Sequence, residues 1–315
     1  MTKSLPRVAT PTSLPKVVVI IGPTAAGKTA LSVEIAKKLG GEVVSADSRQ
    51  VYRGLDIGSG KITKKEMRGV PHHLLDVANP NTTFSAAEYV RLGRRAIQGI
   101  ALRGRVPLIV GGTGFYIDAL LGRVQLAEVA PDPALRLWLS AFSVKELNAQ
   151  LKKLDPQRAK KIDTKNRVRL VRAIEIARAL GSVPYMGQKE LYKTLWIGLT
   201  LPQETLAQKI HIRLFARIRG IEREIKNLHK KGLSWKRMEE LGLEYRYMAR
   251  YLQGKISQGE MHAQLEIEIR KYAKRQMTWF KRNKEIRWFT PNQKKEIVAI
   301  TKKFLKMNYA PKLYD

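Results

Sequence analysis

The first third of the chain alternates short apolar runs with segments whose apolar residues recur at helical spacing. The run from Lys16 to Ile21 is rich in β-branched residues, which is typical of a buried strand in a parallel sheet. Similar runs cover Glu42–Ala46 and Val106–Val110. Gly27–Leu39 has helical spacing, and the capping-box sequence Ser85-Ala-Ala-Glu88 opens another helix. This β-α-β-α-β order predicts an α/β fold, an open parallel sheet with helices on both faces.

The pattern changes after about Gly122, where strand signals give way to helices. The predicted elements are helices over Pro133–Phe142, Val144–Lys153 and Lys165–Leu180, the second of them opened by a capping box at Ser143–Glu146. A strand over Leu195–Leu201 then returns to the sheet, and mainly helices follow up to Arg287. We therefore predict a disordered tail at residues 1–15, an α/β core with a helical C-terminal part at residues 16–122 and 191–315, and a helical insertion domain at residues 123–190.

Composition limits the cellular compartment in which the protein can act. The first fifteen residues are rich in Pro, Ser and Thr and lack the apolar core of a signal peptide. The apolar run Val17–Ile21 is too short to cross a bilayer. The chain has no cysteine, which excludes disulfides, thiolate zinc sites and a cysteine nucleophile. These features predict a cytoplasmic protein with no membrane partner, and a monomer is the default.

The charge balance is far from neutral. Lys and Arg number 59 against 27 Asp and Glu, a formal net charge of +32. Because self-repulsion of this size costs stability, it usually indicates a polyanionic partner, and nucleic acid is the first candidate. The alternative is a generic contribution to solubility, or a proteome that is basic throughout.

The strongest chemical signal is GPTAAGKT, which matches the P-loop pattern G-x-x-x-x-G-K-[ST] directly after a strand and at the start of a helix. In a P-loop, backbone amides and the helix N-terminus bind phosphate oxygens. The predicted di- or triphosphate site consists of Gly22, Pro23, Thr24, Ala25, Ala26, Gly27, Lys28 and Thr29. Lys28 would supply a mobile charge, and the Thr29 hydroxyl would bind Mg²⁺. The motif makes the predicted fold P-loop NTPase-like; the alternative is a glycine turn of structural use only.

The acid that usually ends a neighbouring strand in P-loop ATPases and GTPases is missing. The strand PLIVGGTG ends in glycines and Thr113 instead. The nearest acid at a strand end is Asp47, in ADSRQVY. A carboxylate beside a phosphate site is suited to binding a metal or to acting as a general base. The alternative for Asp47 is a helix N-cap.

Five short motifs in this order resemble the tRNA dimethylallyltransferase family, also called the tRNA isopentenyltransferase family. They are GPTAAGKT, ADSRQVY, VPHHLLD from Val70, GGTGFY from Gly111 and KRQMTWF from Lys274. The resemblance extends from about Val17 to Phe289. It implies transfer of a dimethylallyl group from dimethylallyl diphosphate to N6 of the adenosine 3′-adjacent to the anticodon of tRNA, with Mg²⁺ and release of diphosphate.

The resemblance also implies residue roles. Asp47 would be the general base, Gln50 and Thr113 would orient the flipped adenine, and Lys28 would stabilise the departing diphosphate. Ser48 and Arg49 belong to the same RNA-binding motif. Since the P-loop would then hold a leaving group and no γ-phosphate is attacked, the missing acid is no obstacle.

Two basic helices are the predicted contacts with the anticodon stem-loop. Asn166–Glu175 looks like the family's tRNA-contacting helix, on which Arg169 and Arg172 share a face. Lys274, Arg275 and Gln276 form the second set. The first helix is alternatively an ordinary solvated one, and Trp279 and Phe280 are either core or RNA-facing. The adjacent His72 and His73 suit a structural or substrate-shaping role better than a zinc site. Many family members have Ser where Ala26 stands, and Ile218–Lys231 follows the family only loosely, so no function is predicted there.

Three other functions remain open on the sequence. A P-loop nucleotide kinase would use Asp47 to activate a hydroxyl, but a small acceptor needs neither the charge nor the insertion. An adenylate isopentenyltransferase would not need the long basic C-terminal region. A non-catalytic RNA-binding module would not explain the P-loop together with Asp47.

Overall fold

The computed structural model describes residues 14–183 and 190–307. The tail predicted at residues 1–15 lies outside the described residues, except for its last two positions. The chain divides into two compact units: Met1–Leu121 with Glu190–Asp315, called here the sheet unit, and Gly122–Lys189, called the insertion unit. In the described ranges no helix is both long and apolar enough to cross a membrane.

The sheet unit is built on six strands that all run parallel, in the order β3-β2-β4-β1-β5-β6. Their bounds are β1 Lys16–Ile21, β2 Gly41–Ala46, β3 His72–His73, β4 Val106–Gly111, β5 Lys193–Leu199 and β6 Arg287–Phe289. The predicted open parallel α/β fold is confirmed. The edge strand β3 was missed because two residues are too few to produce a recognisable pattern.

Both faces of this sheet are covered, which explains why β1 is apolar at every position from Val17 to Ile21. Val18 and Ile20 face one core, against α1 and α13, whereas Val17 and Val19 face the other, against α3 and α4. A strand buried on both sides has no polar face to show. The helices of this unit are α1 Lys28–Leu39, α2 Lys64–Met67, α3 Ala86–Leu102, α4 Gly114–Leu120, α9 Gln203–Lys230, α10 Trp235–Leu241, α11 Leu243–Leu252, α12 Gln258–Phe280 and α13 Lys294–Lys306.

A third core joins the C-terminal helices to the segment that follows β2. Leu214 and Ile221 of α9, Tyr245 of α11 and Leu265 of α12 pack with Leu55. Because the segment after β2 begins at the carboxyl edge of the sheet, this packing brings α9 and α12 to the P-loop. Side chains more than 180 residues away along the chain thereby reach the phosphate site.

The insertion unit contains four helices in its described residues: α5 Pro133–Ser140, α6 Val144–Leu154, α7 Pro156–Lys161 and α8 Arg167–Leu180. Leu139, Leu147, Leu170 and Ile174 form its core. The capping box predicted at Ser143 is present, like the one at Ser85 in the sheet unit.

Two predicted helices of this unit are shorter than expected. Helix α8 begins two residues late, because the Asn166 side chain caps it by accepting a hydrogen bond from the N–H of Arg169. Helix α5 ends at Ser140 instead of Phe142, because the backbone must already be extended at Ser143 to open α6.

Candidate active site

The P-loop connects the end of β1 to the first turn of α1, as predicted. Gly22 has a φ of 146°, and a side chain there would come within 2.5 Å of the Leu199 carbonyl oxygen on β5. Gly27 has a φ of 91°, in the left-handed region that favours glycine. Gly22 is therefore required by the close approach of β5, and Gly27 by its left-handed backbone. The loop leads directly into the N-terminus of α1, which can bind a phosphate.

Lys28 is folded over this loop. Its ammonium donates to the carbonyl oxygens of Gly22 at 2.9 Å and Pro23 at 2.8 Å, and no carboxylate of the described residues lies within ion-pair distance of it. Burial lowers the pKa of Lys28 to about 8, with a further lowering from the nearby Arg213 guanidinium and an opposing effect from Asp47. An anion that entered the loop would relieve this unfavourable environment for the charged lysine.

A polar pocket, called here the P-loop pocket, opens at the carboxyl edge of the sheet. It is lined by the P-loop and α1, by the ends of β2 and β4 with the turns that follow, by the segment around β3, and by α9 and α12. The lining residues are Thr24, Lys28, Thr29, Ser32, Val43, Ser45, Asp47, Gln50, Ser59, Gly60, Ile62, His72, Leu75, Val110, Gly111, Gly112, Arg213, Tyr272 and Gln276. The structure thus brings the predicted residues Lys28, Thr29, Asp47 and Gln50 into one site.

Asp47 lies at the end of β2, where its carboxylate shapes a turn. One oxygen, Oδ1, accepts from the backbone N–H groups of Arg49 at 2.8 Å and Gln50 at 3.3 Å. No α-helix begins there, so the alternative of a helix N-cap is wrong. The other oxygen, Oδ2, has no hydrogen bond within the described ranges. One half of the carboxylate fixes the side chain, and the other half is free to accept a proton.

Thr113 fixes the same turn from the neighbouring strand. Its hydroxyl oxygen accepts from the N–H of Ser48 at 3.1 Å and also forms a hydrogen bond with Tyr272. Burial raises the pKa of Tyr272, which keeps it a neutral partner. Arg49 is held away from this point, since its Nε donates to the Leu241 carbonyl at the end of α10 at 2.6 Å. Thr113 therefore contacts the Asp47 turn and does not itself line the P-loop pocket.

Gln276 is buried between two loops, a position different from the RNA-facing one predicted. Its Oε1 accepts from the N–H of Thr24 in the P-loop at 2.8 Å, and its Nε2 donates to the carbonyl of Gly112 at 3.1 Å. Both polar ends of the amide are bound to backbone and the residue is 5% exposed, so the side chain is held between these two loops. It ties the P-loop to the turn after β4.

Arg213 of α9 is the site residue that the sequence did not single out. Its guanidinium lies 3.4 Å from the Thr24 hydroxyl and 3.5 Å from the Gly60 carbonyl oxygen. Arg217, one turn later, binds the Ile57 carbonyl at 2.7 Å and lies 3.7 Å from Glu244. The only available signal was the i, i+4 spacing of two arginines on a long helix, and surface helices carry such pairs routinely.

The predicted RNA-contacting residues divide into exposed and internal ones. Arg169 of α8 is 57% exposed, with Asp163 at 3.9 Å. Arg172 is instead bound within the insertion unit, to Glu175 at 3.1 Å and to the Val129 carbonyl at 2.7 Å. The predicted shared face of Arg169 and Arg172 is therefore only half available to RNA, because Arg172 is held by a buried carboxylate.

The end of α12 also divides between surface and core. Lys274 and Arg275 are exposed. Phe280 is 3% exposed, within a sheet core. Trp279 packs against the same core and donates its indole N–H to Asp118 at 2.8 Å. The question left open for these two aromatic residues is answered in favour of the core.

His72 and His73 bind different partners from adjacent positions of β3. His72 Nδ1 lies 2.9 Å from the Val70 carbonyl oxygen, and His73 Nε2 lies 2.7 Å from the buried Glu42. Only His72 lines the P-loop pocket. Residues 14–183 and 190–307 contain no group of three histidine or acidic side chains arranged to hold a metal ion.

A P-loop beside a carboxylate at the same edge of a parallel sheet defines a class, the phosphate-binding α/β proteins. Comparison with known proteins narrows it. The IPP transferase family model matches residues 50–283. The chain is 41% identical over 301 residues to the tRNA dimethylallyltransferase of Bacillus pumilus, covering 90% of this chain and 94% of that protein. This chain belongs to the IPP transferase family.

Further relatives agree with this assignment. The tRNA dimethylallyltransferase 1 of Geotalea uraniireducens is 44% identical over 265 residues, 84% of this chain and 87% of its own. The crystal structure of a tRNA isopentenylpyrophosphate transferase from Bacillus halodurans superposes with a TM-score of 0.70 at 37% identity, over 92% of this chain and 97% of that one. A eukaryotic dimethylallyltransferase captured acting on tRNA gives a TM-score of 0.79 at 25% identity, over 95% and 82%.

Proposed function

We propose that this protein transfers a dimethylallyl group from dimethylallyl diphosphate to N6 of the adenosine 3′-adjacent to the anticodon of a tRNA. The observation that carries the proposal is that a P-loop and a carboxylate with a free oxygen line one pocket. Relatives that match most of this chain are named tRNA dimethylallyltransferases, which supports the transferred group and the class of acceptor. We expect the protein to act as a monomer in the cytoplasm, where tRNA is modified.

The diphosphate occupies the P-loop in this proposal. The loop amides, the α1 N-terminus, Lys28 and Arg213 all present positive charge to it. Because Lys28 binds only carbonyl oxygens, it exchanges weak partners for phosphate oxygens when the substrate enters. Donors already in place stabilise the negative charge that develops on the departing oxygen.

The pocket fits a magnesium ion that arrives with the diphosphate. Mg²⁺ commonly uses one or two carboxylates and substrate phosphates, and it keeps several waters, so a full protein cage is not required. Thr29 would hold the ion through its hydroxyl, which lines this pocket, and the Asp47 carboxylate is left for the adenine. When bound, the ion neutralises part of the charge on the leaving diphosphate.

Asp47 acts on the other reactant, the adenine. The N6 amine is a weak nucleophile because its lone pair is delocalised into the ring. In the transfer, a bond forms between N6 and the first carbon of the dimethylallyl group, and the bond from that carbon to the diphosphate oxygen breaks. The N6 proton passes to Asp47 Oδ2, the oxygen that the turn leaves free. General-base assistance of this kind contributes about 10²–10⁴ to a rate.

The RNA reaches the pocket with one base turned out of its stack, since N6 is inaccessible within a stacked loop. Gln50 lines the pocket, and in this proposal its amide binds the edge of that base. Exposed Lys274 and Arg275 on α12 and Arg169 on α8 bind backbone phosphates, and the charge of +32 supports this.

One assay tests the proposal against its rivals. The protein is incubated with Mg²⁺, labelled dimethylallyl diphosphate, and either unmodified tRNA, AMP or ATP. We expect label in tRNA alone. Label only in AMP would identify an adenylate isopentenyltransferase. Absence of label from all three, with phosphate transfer from ATP to a nucleotide in a parallel assay, would identify a kinase.

A further inference from the structure

The insertion unit contains a cleft of about 560 Å³ that the proposed reaction does not use. It lies between α5, the C-terminal half of α8 and the segment that precedes α5. Most of its lining residues are apolar, and the others include one guanidinium and two carboxylates. Its residues of interest are Asp132, Leu135, Trp138, Glu175 and Arg178. Sites for small ligands have volumes of roughly 300–1,000 Å³, so the cleft is large enough for an aromatic ring system.

Trp138 is held in place without being buried. It is 47% exposed, although tryptophan is highly buried on average. The neighbouring Leu139 fills the core of the unit instead. The indole meets Phe142 edge to face, with ring centroids 4.6 Å apart, and the Arg178 guanidinium lies 4.9 Å from the centre of the indole. Two neighbours thus fix the orientation of a large aromatic surface that remains open to solvent.

The buried carboxylate of Glu175 in the cleft is already neutralised. Glu175, 2% exposed, accepts hydrogen bonds from Arg136 at 2.6 and 2.9 Å and from Arg172 at 3.1 Å. A cation would find no unpaired charge at Glu175, and the Asp132 carboxylate caps α5, where it accepts from the N–H of Leu135 at 2.9 Å. The cleft therefore favours a flat, largely uncharged ligand that stacks on a ring or a guanidinium plane.

The surroundings indicate where such a ligand comes from. Residues 122–189 include 14 lysines and arginines but only six aspartates and glutamates. A basic surface attracts RNA phosphates, and unpaired bases stack on tryptophan rings and arginine guanidinium planes. We propose that the cleft beside Trp138 and Arg178 receives an unpaired nucleobase of the RNA substrate. This inference rests on the proposed function, because it requires RNA to be the substrate.

Three variants test the stacking contact: Trp138→Ala, Trp138→Phe and the matched control Leu137→Ala. Leu137 lies on the same helix, is 76% exposed and does not line the cleft. We expect Trp138→Ala to raise the Kd for an anticodon stem-loop RNA roughly 5- to 100-fold, the effect of losing one stacked base. Trp138→Phe should keep most of the affinity and Leu137→Ala nearly all, with the KM for dimethylallyl diphosphate unchanged in each.

Two results would overturn the inference: equal RNA affinity of Trp138→Ala and Leu137→Ala, or an equal loss in Trp138→Phe and Trp138→Ala. Photo-crosslinking of the unmodified protein does not depend on how the variants fold. Stem-loop RNAs carrying 5-iodouridine at one loop position at a time should crosslink to the peptide that contains Trp138; crosslinks only to other peptides would contradict the inference. If the unmodified protein puts no label into tRNA at all, the proposed function itself is wrong.

Discussion

Two cations of the P-loop pocket and two of the insertion unit differ in the groups that they bind. Lys28 and Arg213 bind carbonyl and hydroxyl oxygens, whereas Arg136 and Arg172 are both bound to the buried carboxylate of Glu175. A carbonyl oxygen removes little of a cation's field, whereas a carboxylate neutralises it. Only the first pair is therefore ready to receive an anionic substrate.

This difference shows that the partner of a basic residue says more about its role than its place in a motif. Arg172 belongs to a helix that looks like an RNA-contacting one, but the structure uses its charge to stabilise a buried carboxylate. Arg213 belongs to no motif, and it faces the phosphate site.

Asp47→Asn should cause the largest loss. Asparagine keeps an oxygen to accept the N–H groups of Arg49 and Gln50, so the turn is preserved, but its amide cannot take a proton from N6. We expect the rate of transfer to tRNA to fall about 10²- to 10⁴-fold with little change in the Kd for tRNA. Single-turnover rates and RNA binding measured on the same preparation test this. A large loss of RNA affinity would instead make Asp47 a recognition residue.

Lys28 should give the pocket a pH dependence above about pH 8. Its pKa is lowered to about 8, and diphosphate binds the protonated form, so kcat/KM for dimethylallyl diphosphate should fall up to tenfold per pH unit above about 8. The folded state favours the neutral lysine, so its contribution to stability should increase from about pH 8 towards 10.5. Lys28→Arg, which does not titrate in this range, is the control. An unchanged pH profile in that variant would assign the effect to another group.

The parts of this molecule that the sequence predicts well are those fixed by neighbouring residues. The P-loop, the buried strands and the capping boxes at Ser85 and Ser143 depend on spacings of a few residues, and they lie where predicted, except that β5 begins and ends two residues earlier than expected. Arg213 and Gln276 reach the pocket through the packing of α9 and α12, which no local pattern encodes. The role of Arg172 was hidden for the same reason, since Arg136 and Glu175 meet only after the helices pack.

Gln276→Ala should separate the P-loop from the turn after β4. It removes the partners of the Thr24 N–H and the Gly112 carbonyl, and unsatisfied buried groups cost about 1–3 kcal/mol. We expect a lower melting temperature and a several-fold higher KM for dimethylallyl diphosphate. Lys274→Ala is the control from the same helix, and it should weaken tRNA binding without changing the melting temperature. If Gln276→Ala instead lost tRNA affinity with no change in melting temperature or KM, Gln276 would be an RNA contact, as the sequence predicted.

The arginine pair of α8 gives the smallest effect on activity and the most direct test of the comparison. Arg169→Ala removes an exposed charge, so we expect a two- to fivefold weaker tRNA affinity, roughly the share of one phosphate contact, with a shallower salt dependence and unchanged stability.

Arg172→Ala leaves Glu175 with one arginine fewer and should destabilise the protein by about 1–3 kcal/mol. Its effect on RNA binding should be smaller than that of Arg169→Ala. Urea unfolding and salt titrations of RNA affinity measure both properties. If the two variants exchange these effects, Arg172 is the RNA contact, and the rule that a buried carboxylate partner makes an arginine structural does not hold here.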